Sequence, residues 1–315
     1  RFMNKEVDLK KAPRYCGIST FMNQPYTKDV TGADVAVIGI PFEMGTAPGN
    51  IFAPKEIRHV SWLLRSTSPL HMVDIWKELN IVDYGDMTVF TGDWEQSFPL
   101  IEKELEAILE KGVVPICMGG CHSVTYPQLR AYHKFYPDIA LIQLDAHTDT
   151  HDVYFGKQKY TSGSVVRRAI EDGLVDPQSS IQVGIRGTMY SPGDIKQSQD
   201  LGIEVVTTDE VAEMGVAKTV ERIRRRVGNK KVFLTFDMDV VDPAFAPGTA
   251  RAEPGGITSR EVLGILKGLA GLEFIGFDTA EINPSHDCAN LTTILGANII
   301  FEFMALVAMY KRQKN

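Results

Sequence analysis

The sequence is poor in cysteine and contains no long, uninterrupted apolar run. None of the cysteines belongs to a C-x-x-C pair, and their spacing predicts no disulfide framework. Reduced thiols are typical of the cytosol, so we expect a cytoplasmic protein. The most apolar segment, near 298–310, is interrupted by Glu302 and is predicted to be too short to cross a bilayer, which argues against a membrane protein. The four cysteines are Cys16, Cys117, Cys121 and Cys288.

An excess of positive charge is also missing. The chain has 33 Lys and Arg residues against 40 Asp and Glu residues, a formal net charge of −7. Nucleic acids and anionic membranes select basic surfaces, so neither is expected as a partner. There is no Pro- or Ser-rich linker between segments. We therefore predict a single domain over residues 1–315, with an N-terminal arm of about residues 1–30.

Short β-branched runs recur along the chain and end in Gly, Asp or Pro. Because these runs are apolar on both faces, they are predicted to be buried strands of a parallel sheet. Amphipathic segments lie between many of them, and this alternation predicts an α/β fold with helices on both faces of the sheet. The predicted strands are 34–41, 113–118, 139–145, 181–185, 203–207, 231–237 and 273–278, and the predicted helices are 100–111, 124–133, 163–171, 217–227, 259–269 and 291–311.

Acidic and imidazole residues follow several of the predicted strands. In extended chain, alternate residues point the same way, so the D-x-H-x-D and D-x-D segments each present their charged side chains on one face. So many buried carboxylates require cations, which predicts a site for two divalent metal ions. Nitrogen and oxygen ligands favour Mn²⁺, Ni²⁺ or Co²⁺ over a structural zinc site. The six predicted ligands are His122, Asp145, His147, Asp149, Asp237 and Asp239.

Each motif taken alone has an ordinary alternative. A D-x-D segment at a strand end is often a turn or a helix cap, and a histidine after two glycines is often a core residue. The occurrence of all the motifs at successive strand ends is what favours the metal centre.

Together, residues 119–123, 145–150 and 236–249 resemble the signature blocks of the ureohydrolases, the family of arginase, agmatinase and guanidinobutyrase. The resemblance extends over about residues 15–312. It implies a three-layer α/β/α fold around a central parallel sheet and a homotrimer or hexamer, or a hetero-oligomer with a related subunit. It also implies a binuclear enzyme that splits a guanidine-type C–N bond into urea, or a substituted urea, and an amine.

The resemblance further implies roles for individual residues. Asp145 and Asp237 would bridge the two ions, and Glu281 would face the substrate guanidinium, although an ordinary ion pair is the alternative for Glu281. The two ions would lower the pKa of a bridging water from about 15.7 toward neutrality, so that hydroxide attacks the guanidinium carbon. Asp149 is the candidate that protonates the departing amine.

The sequence departs from the family pattern beside the metal ligands. Cys121 replaces an aspartate next to His122, and we favour a small buried side chain there over a metal ligand. Ser162 replaces a histidine that is thought to shuttle protons, and serine cannot do this near neutral pH. His151 is the candidate substitute, and a solvated loop histidine is its alternative.

Another departure concerns the substrate side. Arg251 replaces a threonine expected near the guanidinium, where a cation repels the substrate unless Glu253 or Glu281 pairs with it. Ile51 and Phe52, in the loop 45–54, are candidates for a pocket wall or for a subunit contact.

These departures argue against arginine as the substrate. They favour guanidine, an alkylated guanidine, a biguanide such as metformin, or a guanidino acid, with Mn²⁺ or Ni²⁺ as the cofactor. Two alternatives stay open: an agmatinase, and a non-catalytic, metal-binding subunit of a hetero-oligomeric ureohydrolase.

Overall fold

The computed structural model describes residues 13–44, 48–154 and 156–314. Within them, eight strands form one sheet in the order β4-β1-β5-β10-β9-β6-β7-β8, with every neighbouring pair parallel, and two short strands form an antiparallel pair. The strands are β1 (Val35–Ile40), β2 (Thr67–Ser68), β3 (Val73–Asp74), β4 (Ile81–Asp86), β5 (Val114–Gly119), β6 (Ile139–Leu144), β7 (Ile181–Ile185), β8 (Glu204–Thr207), β9 (Lys231–Asp237) and β10 (Phe274–Ala280).

Helices cover both faces of the main sheet. One layer contains α1, α2, α7, α8 and α9, and the other contains α3, α4 and α5, each with its own buried apolar cluster. The predicted three-layer α/β/α fold is therefore confirmed. The helices are α1 (Ala53–Val60), α2 (Ile75–Glu78), α3 (Trp94–Leu109), α4 (Thr125–Phe135), α5 (Val165–Glu171), α6 (Asp194–Asp200), α7 (Thr208–Val227), α8 (Ser259–Gly268) and α9 (Leu291–Lys314).

The central strands are apolar on both faces because helices cover both sides. All six residues of β1 and all seven of β10 are buried. On the α9 side, Phe277 stacks on Phe303 with ring centroids 4.4 Å apart. On the α4 side, Tyr132 lies so close to the sheet that a Cβ on Gly276 would fall 2.1 Å from its hydroxyl. Glycine at position 276 therefore allows α4 to pack against β10.

Strand β4 was not predicted, because polar residues interrupt its apolar pattern. Asp83 in β4 is fully buried and accepts hydrogen bonds from Arg58 of α1 at 2.8 and 3.0 Å. It also accepts one from the backbone N–H of Phe21, in the part of the N-terminal arm that the structure describes. Residues 1–12 lie outside the described residues, and the single domain over 1–315 stays a prediction.

Helix α9 corrects the length argument made for the segment near 298–310. Its 24 residues are long and apolar enough to cross a membrane by length and composition. However, 78% of its most apolar 18-residue stretch is buried inside the protein. The core helix of a soluble protein can be equally long and apolar. Glu302, which interrupts the apolar pattern, accepts hydrogen bonds from Ser68 beneath the helix.

Candidate metal centre and substrate pocket

The carboxyl ends of four adjacent strands meet at one edge of the sheet. These strands are β5, β10, β9 and β6, at the centre of the strand order. Ligands of open parallel sheets bind at such ends. The predicted site residues follow these strands: His122 after β5, Asp145, His147 and Asp149 after β6, Asp237 and Asp239 at the end of β9, and Glu281 after β10.

Two groups of potential ligands form at this edge. In the first, Nδ1 of His122 lies 3.2, 2.9 and 3.3 Å from oxygens of Asp145, Asp149 and Asp237. In the second, Nδ1 of His147 lies 2.9 Å from Asp239. The other oxygen of Asp145 lies 3.7 Å from the same nitrogen, so Asp145 faces both groups. All six predicted ligands are thus brought together, in an arrangement suited to two neighbouring ions.

A buried hydrogen-bond chain orients His122. Its Nε2 lies 2.7 Å from the hydroxyl of Thr235, which donates its own proton to Asp278 at 2.6 Å. Thr235 must therefore accept from Nε2–H, which leaves the lone pair of a neutral imidazole on Nδ1. That nitrogen is buried and has no hydrogen bond to any described residue. A lone pair directed at three carboxylates is the geometry of a cation site.

The electrostatics of the aspartates favour a cation as well. Burial, and then the charges of Asp239 and Asp145, raise the pKa of Asp237 well above its usual range. Burial and the charge of Asp145 raise the pKa of Asp149 to about 7, and the same two causes raise the pKa of Asp239. The protein residues alone oppose full ionisation, and divalent ions would reverse this effect. Two imidazole nitrogens and four carboxylates fit such ions.

Gly120, the second of the two glycines before Cys121 and His122, lies where a side chain would collide with the backbone. A Cβ on Gly120 would lie 1.9 Å from the carbonyl oxygen of Phe42, which follows β1. The Gly120 carbonyl also accepts a 2.9 Å hydrogen bond from the backbone N–H of Glu281. The absence of a side chain at this position therefore lets the segments after β1, β5 and β10 meet.

Glu281 is held by three donors from different parts of the chain. Its carboxylate accepts hydrogen bonds from the backbone N–H of His122 at 2.7 Å, from Asn50 at 2.8 Å and from Ser162 at 3.0 Å. Burial raises the pKa of Glu281, while the His122 N–H and the Ser162 hydroxyl act in the opposite direction. Its φ of 62°, like the 50° of Asp149, lies in the left-handed region, a conformation that is costly for these residues.

Asn50 is a site residue that the sequence did not reveal. It is buried in a short turn, Asn50–Phe52, within the loop that the sequence had singled out. The loop was therefore the available signal for this residue, but the candidates within it were the apolar neighbours Ile51 and Phe52. Ile51 and Phe52 do not belong to the wall of the pocket, and the Phe52 side chain is exposed. Residues 45–47 of this loop lie outside the described residues.

Cys121 is a buried, neutral side chain. Its sulfur lies 2.8 Å from the hydroxyl of Ser123, and burial together with the charge of Glu281 raises the thiol pKa to about 12. A neutral thiol is a poor metal ligand, so the position supports the small buried side chain that the sequence favoured.

A cavity of about 340 Å³ opens above the two groups of ligands. Ser162, His151 and Arg251, for which the sequence suggested substrate-binding or catalytic roles, all line it. The ring of His151 lies 5.3 Å from that of Tyr154. Burial is the largest cause that lowers the His151 pKa, so its imidazole is neutral at neutral pH. Tyr190 completes this aromatic wall, with its hydroxyl 2.9 Å from that of Tyr154.

The partner of Arg251 differs from the expected one. Arg251 donates a 3.1 Å hydrogen bond to the hydroxyl of Tyr154, and its guanidinium lies 5.6 Å from the centre of that ring. Glu253, one of the expected partners, instead lies 3.5 Å from Nε2 of His147. Glu281, the other expected partner, accepts hydrogen bonds from the three donors described above. Arg251 thus remains a cation at the wall of the pocket.

Comparison with known proteins identifies the family. A model described as "Arginase family" matches residues 33–306. The chain belongs to the arginase family. It is 38% identical to guanidinopropionase of Pseudomonas aeruginosa, over 96% of this chain and 95% of that protein. It is 35% identical to guanidinobutyrase of the same organism, over 97% of both chains. The solved structure of proclavaminate amidinohydrolase from Streptomyces clavuligerus superposes with a TM-score of 0.90 at 37% identity, covering 95% of this chain and 100% of that chain.

This membership confirms the ureohydrolase resemblance and its fold. The chain is a metal-dependent arginase-family hydrolase of guanidino compounds. The family holds two divalent ions, and the two groups of imidazole and carboxylate ligands found here fit that centre.

Proposed function

We propose that this arginase-family member hydrolyses a C–N bond of a guanidinium compound other than arginine. Hydrolysis adds one water across the bond: the carbon gains the oxygen, and the departing nitrogen gains a proton. The products are urea, or a substituted urea, and an amine. The observation that carries the proposal is the buried Glu281 carboxylate, held by three donors next to six potential metal ligands.

The proposed ligands are His122, Asp145, Asp149 and Asp237 for one ion, and His147, Asp145, Asp237 and Asp239 for the other. We propose Mn²⁺ or Ni²⁺, because the ligand atoms are imidazole nitrogens and carboxylate oxygens. When bound, the two ions supply a nucleophilic hydroxide at neutral pH.

Glu281 is proposed to bind and orient the guanidinium. The fixed geometry matters because a delocalised guanidinium is a poor electrophile, and positioning contributes much of the rate. The donors from Asn50, Ser162 and the His122 backbone hold the carboxylate in place. Ser162 therefore has a positioning role through Glu281.

Proton transfer is assigned to two residues. A carboxyl oxygen of Asp149, which lies 2.9 Å from Nδ1 of His122 and borders the cavity, would deliver the proton to the departing nitrogen. The neutral imidazole of His151, on the pocket wall, would exchange that proton with solvent. This assigns to His151 the part that Ser162 cannot play.

The proposed substrates are guanidine, an alkylated guanidine, a biguanide such as metformin, or a guanidino acid. The cation of Arg251 at the pocket wall disfavours agmatine, whose second cationic end it would repel, and an agmatinase stays the alternative. We further propose a cytoplasmic enzyme that assembles as a homotrimer or hexamer, or with a related subunit.

The test is urea release from the purified chain after loading with Mn²⁺ or Ni²⁺, across a panel of these guanidines with arginine and agmatine included. We expect urea from at least one of the proposed compounds and little from arginine. Bound metal with no urea from any compound would support a non-catalytic subunit instead.

Asp149→Asn in the same assay should lower turnover roughly 10²–10⁴-fold, because proton transfer and one ion ligand are impaired. The circular dichroism spectrum should be unchanged. Asp200→Asn, an exposed aspartate on α6, is the matched control and should retain full activity. Full activity in Asp149→Asn would remove the proposed role of Asp149.

A further inference from the structure

The pocket is lined by side chains of opposite charge. Its floor is formed by carboxylates, including Asp149, Asp237 and Glu281, and is cationic only when ions are bound. Its wall carries Arg251, which forms no ion pair within 4.0 Å with any described residue. A partly exposed guanidinium that faces a ligand cavity without a carboxylate partner is a ready receptor for an anion.

The second arginine of the pocket differs from Arg251 in its hydrogen-bond partners. Arg186 also lines the cavity, but its guanidinium donates to backbone carbonyls of Asp239, Val240 and Glu253, at 2.7, 3.1 and 2.6 Å. Its donors are therefore directed at the protein backbone. The hydrogen bond that Arg251 gives to a described residue goes to Tyr154, a neutral hydroxyl, and the charges of Glu281 and Asp149 act on its guanidinium without an ion pair within 4.0 Å.

The aromatic wall positions Arg251. Its guanidinium lies 5.6 Å from the centre of the Tyr154 ring, and Tyr190 meets that tyrosine edge-on at 5.8 Å. Contact with a ring face together with a hydrogen bond to its hydroxyl restricts a long, flexible side chain. A pre-positioned cation loses less conformational freedom when it binds an anion.

We propose that Arg251, held by Tyr154, binds a carboxylate at the end of the substrate remote from the guanidinium. This rests on the proposed function, because it assumes that the guanidinium lies against Glu281. The substrate class is then a short guanidino acid, with its cationic end on Glu281 and its anionic end on Arg251. Agmatine would place an ammonium near Arg251, and a plain alkylguanidine would leave the arginine without an ion partner.

The test compares two compounds of similar size, 3-guanidinopropionate and propylguanidine, on the metal-loaded protein. The wild type should prefer the carboxylate compound in kcat/KM. In Arg251→Gln the ratio of the two kcat/KM values should fall roughly 10- to 100-fold, the value of a charge-assisted hydrogen-bonded pair. Arg251→Lys, which keeps the charge, should restore part of the ratio. Arg225→Gln, an exposed arginine on α7, is the matched control and should leave the ratio unchanged.

A binding measurement complements the kinetics. Calorimetric titration with 3-aminopropionate and with propylamine, the two product amines, should give a tighter dissociation constant for the carboxylate compound in the wild type, and Arg251→Gln should remove that difference. Equal rates and equal binding for both compounds in the wild type would overturn the proposal while the proposed hydrolysis stands. Failure to hydrolyse either compound or any other guanidine would instead overturn the proposed function.

Discussion

At the scale of single residues, His122, a proposed metal ligand, is oriented by groups that are not themselves proposed ligands. The Thr235 hydroxyl links His122 to Asp278. Asp278 is buried and also accepts hydrogen bonds from Thr125 at 2.6 Å and from Gln128 at 2.9 Å. Burial raises the pKa of Asp278, while its hydrogen bonds from Thr125, Thr235 and Gln128 act in the opposite direction. Because Asp278 accepts the Thr235 proton, that proton is turned away from the imidazole.

We therefore expect Thr235→Val to lower metal affinity roughly 10- to 100-fold, since outer partners of ligating histidines have effects of this size. Valine has the shape of threonine but cannot accept from Nε2–H. Metal titration followed by calorimetry measures the change, and Thr235→Ser, which keeps the hydroxyl, should bind almost as tightly as the wild type. Unaltered affinity in the valine variant would show that the tautomer is fixed by other means.

The structure brings together the residues that local sequence patterns marked as potential metal ligands. The D-x-H-x-D and D-x-D spacings place side chains on one face of an extended segment and predicted five of the six potential ligands without coordinates. His122 was predicted from its position after a buried strand. The contact of Asn50 with Glu281 joins positions 231 residues apart, and the Arg251–Tyr154 pair joins positions 97 residues apart. No local pattern encodes such pairs, which is why Asn50 was missed and the partner of Arg251 was wrongly expected.

At the scale of elements, seven of the eight strands in the main sheet were predicted, because their buried runs are continuous. The exception, β4, contains Asp83, whose burial is tolerable only because Arg58 arrives from α1. Helix α1 was likewise missed, since Pro54 at its start resembled loop sequence. Elements whose polar residues are neutralised by distant partners cannot be recognised from their own apolar pattern.

Helix α9 contains a buried acid that should affect stability. Burial raises the pKa of Glu302 from 4.5 to about 7, and the Ser68 hydroxyl only partly opposes this. Between pH 4.5 and about pH 7, Glu302 keeps a proton in the native state that it has released in the unfolded chain. The contribution of Glu302 to the free energy of unfolding is therefore complete below about pH 4.5 and is lost as the pH rises through about 7.

Glu302→Gln should remove this loss. Relative to the wild type, the variant should gain about 1–2 kcal/mol in the free energy of unfolding at pH 8 and little at pH 5. Urea denaturation at the two pH values measures the difference, and subtracting the wild type cancels the titration of the metal ligands. Glu221→Gln, an exposed position on α7, is the control. A gain that is equal at both pH values would contradict the assigned cause.

At the scale of the whole molecule, we expect ions bound by the proposed ligands to stabilise the fold. Binding of ions to the native state alone raises its stability by about 4 kcal/mol at a thousandfold excess over the dissociation constant. We expect removal of the ions by a chelator to lower Tm by roughly 10 °C, as measured by differential scanning calorimetry. Mn²⁺ or Ni²⁺ should restore Tm, whereas Mg²⁺, which binds imidazole poorly, should restore little. An unchanged Tm after verified ion removal would argue against this coupling.

The strand order has a consequence for synthesis. Strand β10 is the last of the eight to leave the ribosome, yet it lies between β5 and β9. Until it is inserted, a nascent chain exposes two unpaired strand edges at the centre of the sheet, where premature association with other chains is most damaging. Glu281 directly follows this strand, so a chain interrupted before this point would lack the carboxylate that we propose binds the guanidinium. The proposed substrate-binding carboxylate is therefore synthesised only after the last strand, which is also the strand that completes the centre of the sheet.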